Sequence, residues 1–145
     1  MNSRAYYLSP AEVDEFKVNP EIKRRLFLSL TRMLQFYGVE YEESAVKKKG
    51  RVVKRDDYEQ RLRNMMVNSH NYLRITRIMT CFADVGMHQV TFAMAKFYFG
   101  EARRFPRSTL EAWKEIVERQ GFFLLLSSSS LLSCNSFRFL LLGFS

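Results

Sequence analysis

Apolar side chains recur along this chain at helical spacings, and the breaks between the runs carry helix-stopping residues. Ile22, Leu26, Leu30, Met33 and Tyr37 fall at intervals of four, four, three and four, and Phe27 and Leu34 widen the stripe. That spacing predicts an amphipathic helix of about four turns, stopped at Gly38. A shorter helix is predicted before it over 9–18, "SPAEVDEFKV". Ser9 can cap, Pro10 suits the first helical position, and Glu12 completes a capping box, with Val13 and Phe16 as a short apolar side. Asn19 stands before Pro20, and a residue before proline avoids the helical region, so one helix ends there and the next begins.

Residues 39–56 carry no helical period. An acidic stretch gives way to a basic one around Gly50, which reads as a loop with room for a short β-hairpin about that glycine. Asp57 is placed to start a helix with Tyr58, Leu62, Met65 and Met66 inward. Asn68, Ser69 and Asn71 are good cap residues and mark a break. Tyr72, Ile75, Ile78, Met79, Phe82 and Val85 then share one face of a helix closed by Gly86, while Arg74, Arg77 and Asp84 lie off it. The next run, with Val90, Ala93, Met94 and Phe97 flanked by Phe92, Tyr98 and Phe99, is apolar on most sides and so is expected at the centre. After Pro106, Ser108 is expected to cap a last helix with Glu111 three residues on and with Leu110, Trp113 and Val117 inward. The expected fold is all-α: a single bundle of about six helices, joined mostly by short loops.

The composition changes after residue 120. Residues 121–145 are largely Leu, Ser and Phe, with four consecutive serines and with Asn135 and Arg138 interrupting the apolar runs. A membrane-spanning helix wants about 20 mostly apolar residues, so this segment is a poor candidate for one. It fits translated non-coding sequence better than a membrane tail anchor or a packing segment. The expected organisation is therefore a helical domain over 1–120 and a non-native-looking low-complexity tail over 121–145.

The 145 residues are 47% apolar and 14% aromatic, enough for one packed domain and against disorder over most of the length. Lys and Arg number 23 against 15 Asp and Glu, a formal charge of +8, which favours acidic partners without naming one. Cys81 and Cys134 make no disulfide framework. The first residues lack the apolar run of a signal peptide.

Motifs for catalysis are missing. There is no glycine-rich phosphate loop, zinc-protease pair or nucleophile elbow. His70 and His88 are the two histidines, and neither cysteine stands at ligand spacing from them, so no metal and no cofactor are expected. Cys81, beside Phe82, reads as a small buried hydrophobe and not as a nucleophile. The chain is expected not to be an enzyme. One charged feature rises above background: "KKKGRVVKR", with Lys47, Lys48, Lys49, Arg51, Lys54 and Arg55 within nine residues. It reads as a nuclear-localisation or nucleic-acid patch, or as a solvated loop. No aromatic residue is interleaved with these charges, which counts against single-strand binding.

The stretch "SHNYLRITRI" (69–78) resembles the signature of the opioid growth factor receptor family. The lead-in "MNSRAYYLSPAEVDEFK", the helix end "RRLFLSLTRMLQFYGVEYEE", "YEQRLRNM" and "STLEAW" resemble family segments in the same order. Together they cover roughly residues 1–119. The chain departs from the family in lacking an aromatic-rich N-terminal portion, in its Leu/Ser/Phe tail, and in a more charged loop at Lys47. The resemblance therefore implies a fragment or variant of a non-enzymatic receptor, unrelated to seven-helix opioid receptors. It implies binding of the pentapeptide Met-enkephalin, restraint of cell growth, and a place in the nucleus and perinuclear region or cytoplasm with membrane association. It transfers no ligand-contacting residue.

Arg74 and Arg77 stand three apart and so share a helix face, with Asn71 one turn before and His70 next to it. They read either as a cap with solvated or paired arginines, or as a polar face that meets a peptide carboxylate through the planar guanidinium fork. His70, Asn71, Arg74 and Arg77 are the candidate peptide-binding residues. The rival reading is a basic helical scaffold that binds nucleic acid, an import carrier or an acidic protein through 47–55, or a truncated product without autonomous function.

Overall fold

The first helix, α1 (Pro10–Val18), starts on the capping box: Ser9 Oγ accepts from the Glu12 amide at 3.3 Å, and Glu12 Oε2 accepts from the Ser9 amide at 2.7 Å. The computed structural model describes residues 8–43 and 50–127, with side chains as far as 121. Asn19 caps α2 (Pro20–Phe36) by accepting from the amides of Glu21 and Ile22 at 3.0 and 3.3 Å. Gly38 takes φ +75°, the left-handed region that ends a helix without a Cβ penalty, and turns the chain away from α2.

The stretch without helical period is a β-hairpin. β1 (Val39–Glu43) pairs antiparallel with β2 (Gly50–Lys54), Val39 opposite Lys54 and Glu43 opposite Gly50. Gly50 therefore opens the second strand, and residues 44–49 lie outside the described residues. The reason for a glycine at 50 is a close approach: an added Cβ would fall on the Tyr41 ring. Val39 and Val52 are buried, and the sheet packs against α2 and α5.

Helix α3 (Tyr58–Val67) buries Tyr58, Leu62 and Met65, but Met66 turns outward and is 47% exposed. Inward Met66 was the expectation of the apolar stripe; one residue around the helix from Met65 is 100° away, too far to share its face. The chain breaks at Asn68 and resumes as α4 (His70–Asp84), though Ser69 makes no side-chain cap and Asn71 lies inside the helix. α4 buries Tyr72, Ile75, Met79, Phe82 and Ala83, and Gly86 at φ +79° closes it. Helix α5 (His88–Gly100) is the central one, packed on β2, α4 and α6. Its buried Thr91 donates to the carbonyl of Met79 at 3.1 Å and ties α5 to α4. A short 3-10 turn (Ala102–Arg104) leads to α6 (Arg107–Ser127).

The last helix starts earlier than its sequence suggests. The Pro106 carbonyl accepts from the amides of Thr109 and Leu110, so Ser108 is inside the first turn and not its cap. Glu111 pairs with Arg107 at 2.9 Å instead of completing a capping box. α6 buries Trp113, Ile116 and Val117 and runs on to Ser127, across the composition change at residue 120. The rest of the low-complexity tail lies outside the described residues. Among the described residues there are six α-helices and one two-stranded sheet, a predominantly α fold. Its centre is an aromatic cluster: Tyr98 lies 5.0 Å from Trp113 and 5.6 Å from Phe105, and Phe105 lies 5.3 Å from Trp113, centroid to centroid.

Candidate functional site

The four candidate residues of α4 part company in the structure. His70 is exposed at the start of the helix. Asn71 is 1% exposed, and its Oδ1 accepts from Arg74 Nη1 at 3.2 Å. Arg74 is thereby drawn back onto a buried amide, close enough to Tyr37 to counter part of the upward push that burial gives that phenol. Arg77, one turn further, pairs with no carboxylate among the described residues. It lines a groove of about 340 Å³ between α1 and α4.

Both helices contribute to that groove. Leu8, Val13 and Phe16 form an apolar wall, and Thr76, Arg77, Thr80, Cys81, Asp84 and Val85 form the other side. Thr76 connects it to the core: its Oγ1 accepts from Trp113 Nε1 at 2.9 Å and donates to the Tyr72 carbonyl at 2.9 Å. Cys81 was expected in the core and is instead exposed on this side of α4. Counted at 100° per residue, Cys81 falls well away from Ile75, Met79 and Phe82. Partial burial, and then the nearby Asp84 carboxylate, push its thiol pKa up, so it is a poor nucleophile. No periodicity argument could have found the groove, because it exists only where α1 lies across the outer side of α4.

The described part of the basic run has its charges matched. Arg51 pairs with Glu42 at 2.6 Å across the hairpin. Arg55 stands 3.7 Å from Glu40 and 3.6 Å from Asp57. Lys54 pairs with Glu101 at 2.7 Å and lies 4.7 Å over the Tyr58 ring. Lys47, Lys48 and Lys49 lie outside the described residues. Sequence reasoning missed Glu101, a partly buried carboxylate that also meets Arg104 at 3.3 Å and the Tyr58 hydroxyl at 3.5 Å. It sits beside a second cleft of about 420 Å³ lined by Lys54, Arg103 and Arg104 at the end of α5. The cluster "EARR" was the available signal. Cations at the C-terminal end of a helix offset its dipole, which accounts for their place.

Among the described residues no group of three or more His, Cys, Asp and Glu side chains is placed to hold a metal ion. Nor is any helix among them long and apolar enough to cross a membrane.

Comparison with known proteins gives the chain's relatives. The family model described as "Opioid growth factor receptor (OGFr) conserved region" matches residues 1–119. Opioid growth factor receptor-like protein 1 of Mus musculus is 32% identical over 102 residues, 70% of this chain and 21% of that protein. The opioid growth factor receptor of Homo sapiens is 34% identical over 101 residues, 70% of this chain and 14% of that protein. The match thus spans about a fifth or less of the length of these relatives, one named a receptor-like protein and the other a receptor, neither an enzyme. No solved structure matches the chain significantly.

Proposed function

We propose, from the premise that this chain belongs to the opioid growth factor receptor family, that it is a non-enzymatic peptide-recognition domain. It binds the opioid pentapeptide Met-enkephalin and acts in the restraint of cell growth. The observation that carries this reading is Arg77: an exposed guanidinium without a carboxylate among the described residues, beside an apolar groove. A peptide offers that combination a charged terminus and apolar side chains, and a guanidinium holds a carboxylate through two parallel hydrogen bonds.

The test is isothermal titration of the full chain with Met-enkephalin. Saturable one-to-one binding that weakens only moderately as salt screens the contact with the exposed Arg77 supports the reading, and absence of binding on a folded chain overturns it. Phosphate contacts would instead weaken steeply as salt rises. The nucleic-acid reading has less support, since Arg51, Lys54 and Arg55 already face carboxylates. For the cell, the reading puts the protein in the nucleus and perinuclear region, with membrane association and with an import carrier engaging Lys47, Lys48 and Lys49. Imaging a fluorescent fusion, with and without those lysines changed to glutamine, checks that placement.

A further inference from the structure

We infer that the groove between α1 and α4 is the peptide site, that Arg77 takes the free carboxylate of a short peptide, and that Asp84 takes its free amine. This rests on the peptide-recognition reading above and names its site and ligand chemistry.

Arg77 and Asp84 are seven residues apart on one helix, so they project from nearly the same side, about 10.5 Å apart along the axis. Both are exposed, both line the groove, and neither pairs with an opposite charge among the described residues. That distinguishes them from Arg51, Arg61, Arg104 and Arg107, each held by a carboxylate. A groove with one cation and one anion along its floor complements a zwitterion. The order of the charges sets a direction. Asp84 ends α4, where the helix dipole also favours a cation, so the peptide amine lies there and the carboxylate lies toward the middle of the helix.

The opposite wall supplies the apolar half of the recognition. No residue of α1 is fully buried, so Val13 and Phe16, with Leu8 just before the helix, present side chains to the groove instead of sealing it. The volume of about 340 Å³ is at the small end of ligand pockets, suited to a few side chains and not to a folded segment. A chain advances at most about 3.6 Å per residue, so roughly three extended residues span the two charges. A pentapeptide must therefore bend to present both ends, and one with flexible central residues fits best.

The experiment compares three probes on the full chain: Met-enkephalin, its C-terminal amide and its N-acetyl form. Calorimetry gives affinity, and the single tryptophan, bonded to Thr76 behind the groove, gives a fluorescence signal. Amidation and acetylation are each expected to weaken binding about two- to fivefold, as expected for one lost charge contact at an exposed position. R77Q should weaken the free acid to the level of the amide and leave the amide unchanged, and D84N should do the same for the N-acetyl form. R103Q, an equal change of charge outside the groove, should leave all three affinities as they are. Binding by the unaltered chain with R77Q still discriminating acid from amide would overturn the groove and leave the peptide reading standing. No binding by the unaltered chain would overturn the reading and the groove with it.

Discussion

Trp113 Nε1 donates a 2.9 Å hydrogen bond to Thr76 Oγ1, joining α6 to α4 directly behind the groove. Trp113 is fully buried, so its N–H has no water to turn to. Thr76→Val keeps the shape and removes the acceptor. The expected loss is about 1–3 kcal/mol, the cost of leaving a buried donor unpaired. Urea unfolding followed by tryptophan emission should show a lower midpoint at unchanged slope. An unaltered midpoint would mean that the bond contributes nothing net.

Glu101 holds the other side of the fold together, with Lys54 at 2.7 Å, Arg104 at 3.3 Å and the Tyr58 hydroxyl at 3.5 Å. Its side chain is 17% exposed, so its contacts are less screened than those of a surface pair. Glu101→Gln preserves size but takes from Lys54 its ion pair and leaves it near the positive Arg104, which keeps Glu59 at 2.7 Å. A loss of about 1–3 kcal/mol is expected, shrinking as salt screens the repulsion. Glu111→Gln, which removes the exposed Arg107–Glu111 pair, should leave the unfolding midpoint in place.

How far these features could be read from sequence follows their range. Ser9, Glu12, Asn19, Gly38 and Gly86 act on their own few neighbours, and each does what its type and position predict. The α4 stripe of Ile75, Met79 and Phe82 is equally local, because a helix period repeats the core every turn. The hairpin was harder: Val39 and Tyr41, and Val52 across from them, alternate as strand residues do, but charged neighbours dilute the pattern. Ser108 misled because it resembles a cap, whereas the Pro106 carbonyl already starts the helix. The roles of Thr91 and Glu101 depend on which element lies opposite, and nothing within a window of the chain encodes that, whereas the exposure of Cys81 follows from the helix period alone.

Gly38 and Gly86 separate two costs of adding a side chain. Both have φ near +75 to +79°, so alanine at either is strained by about 1–2 kcal/mol. At Gly86 an added Cβ meets nothing within 4 Å, and that strain is the whole effect. At Gly38 it would lie 2.8 Å from Tyr58 Cα, a backbone atom that cannot rotate away. Overpacking then adds to the strain, for a total of about 2–4 kcal/mol. Thermal melts of the two variants should rank Gly38→Ala clearly below Gly86→Ala. Equal melts would mean that α2 and α3 can move apart at no cost.

The buried phenols predict a loss of stability in alkali. Burial pushes the pKa values of Tyr37, Tyr58 and Tyr98 above the ordinary tyrosine value; Glu101 adds to the rise at Tyr58, and Tyr37 and Tyr58 add to that at Tyr98. The folded state thus favours the neutral forms. Their contribution to stability is complete below about pH 10, where unfolded tyrosines begin to ionise, and is lost as pH climbs toward the raised folded values. Of the seven tyrosines, the buried ones should give no phenolate absorbance until helical circular dichroism collapses, and then appear in one cooperative step. Tyr98→Phe sharpens the test. The Tyr98 hydroxyl is buried without a hydrogen-bond partner among the described residues, so its removal should cost nothing at neutral pH and move the alkaline midpoint upward. A midpoint unchanged by Tyr98→Phe would place the alkaline weakness in another residue.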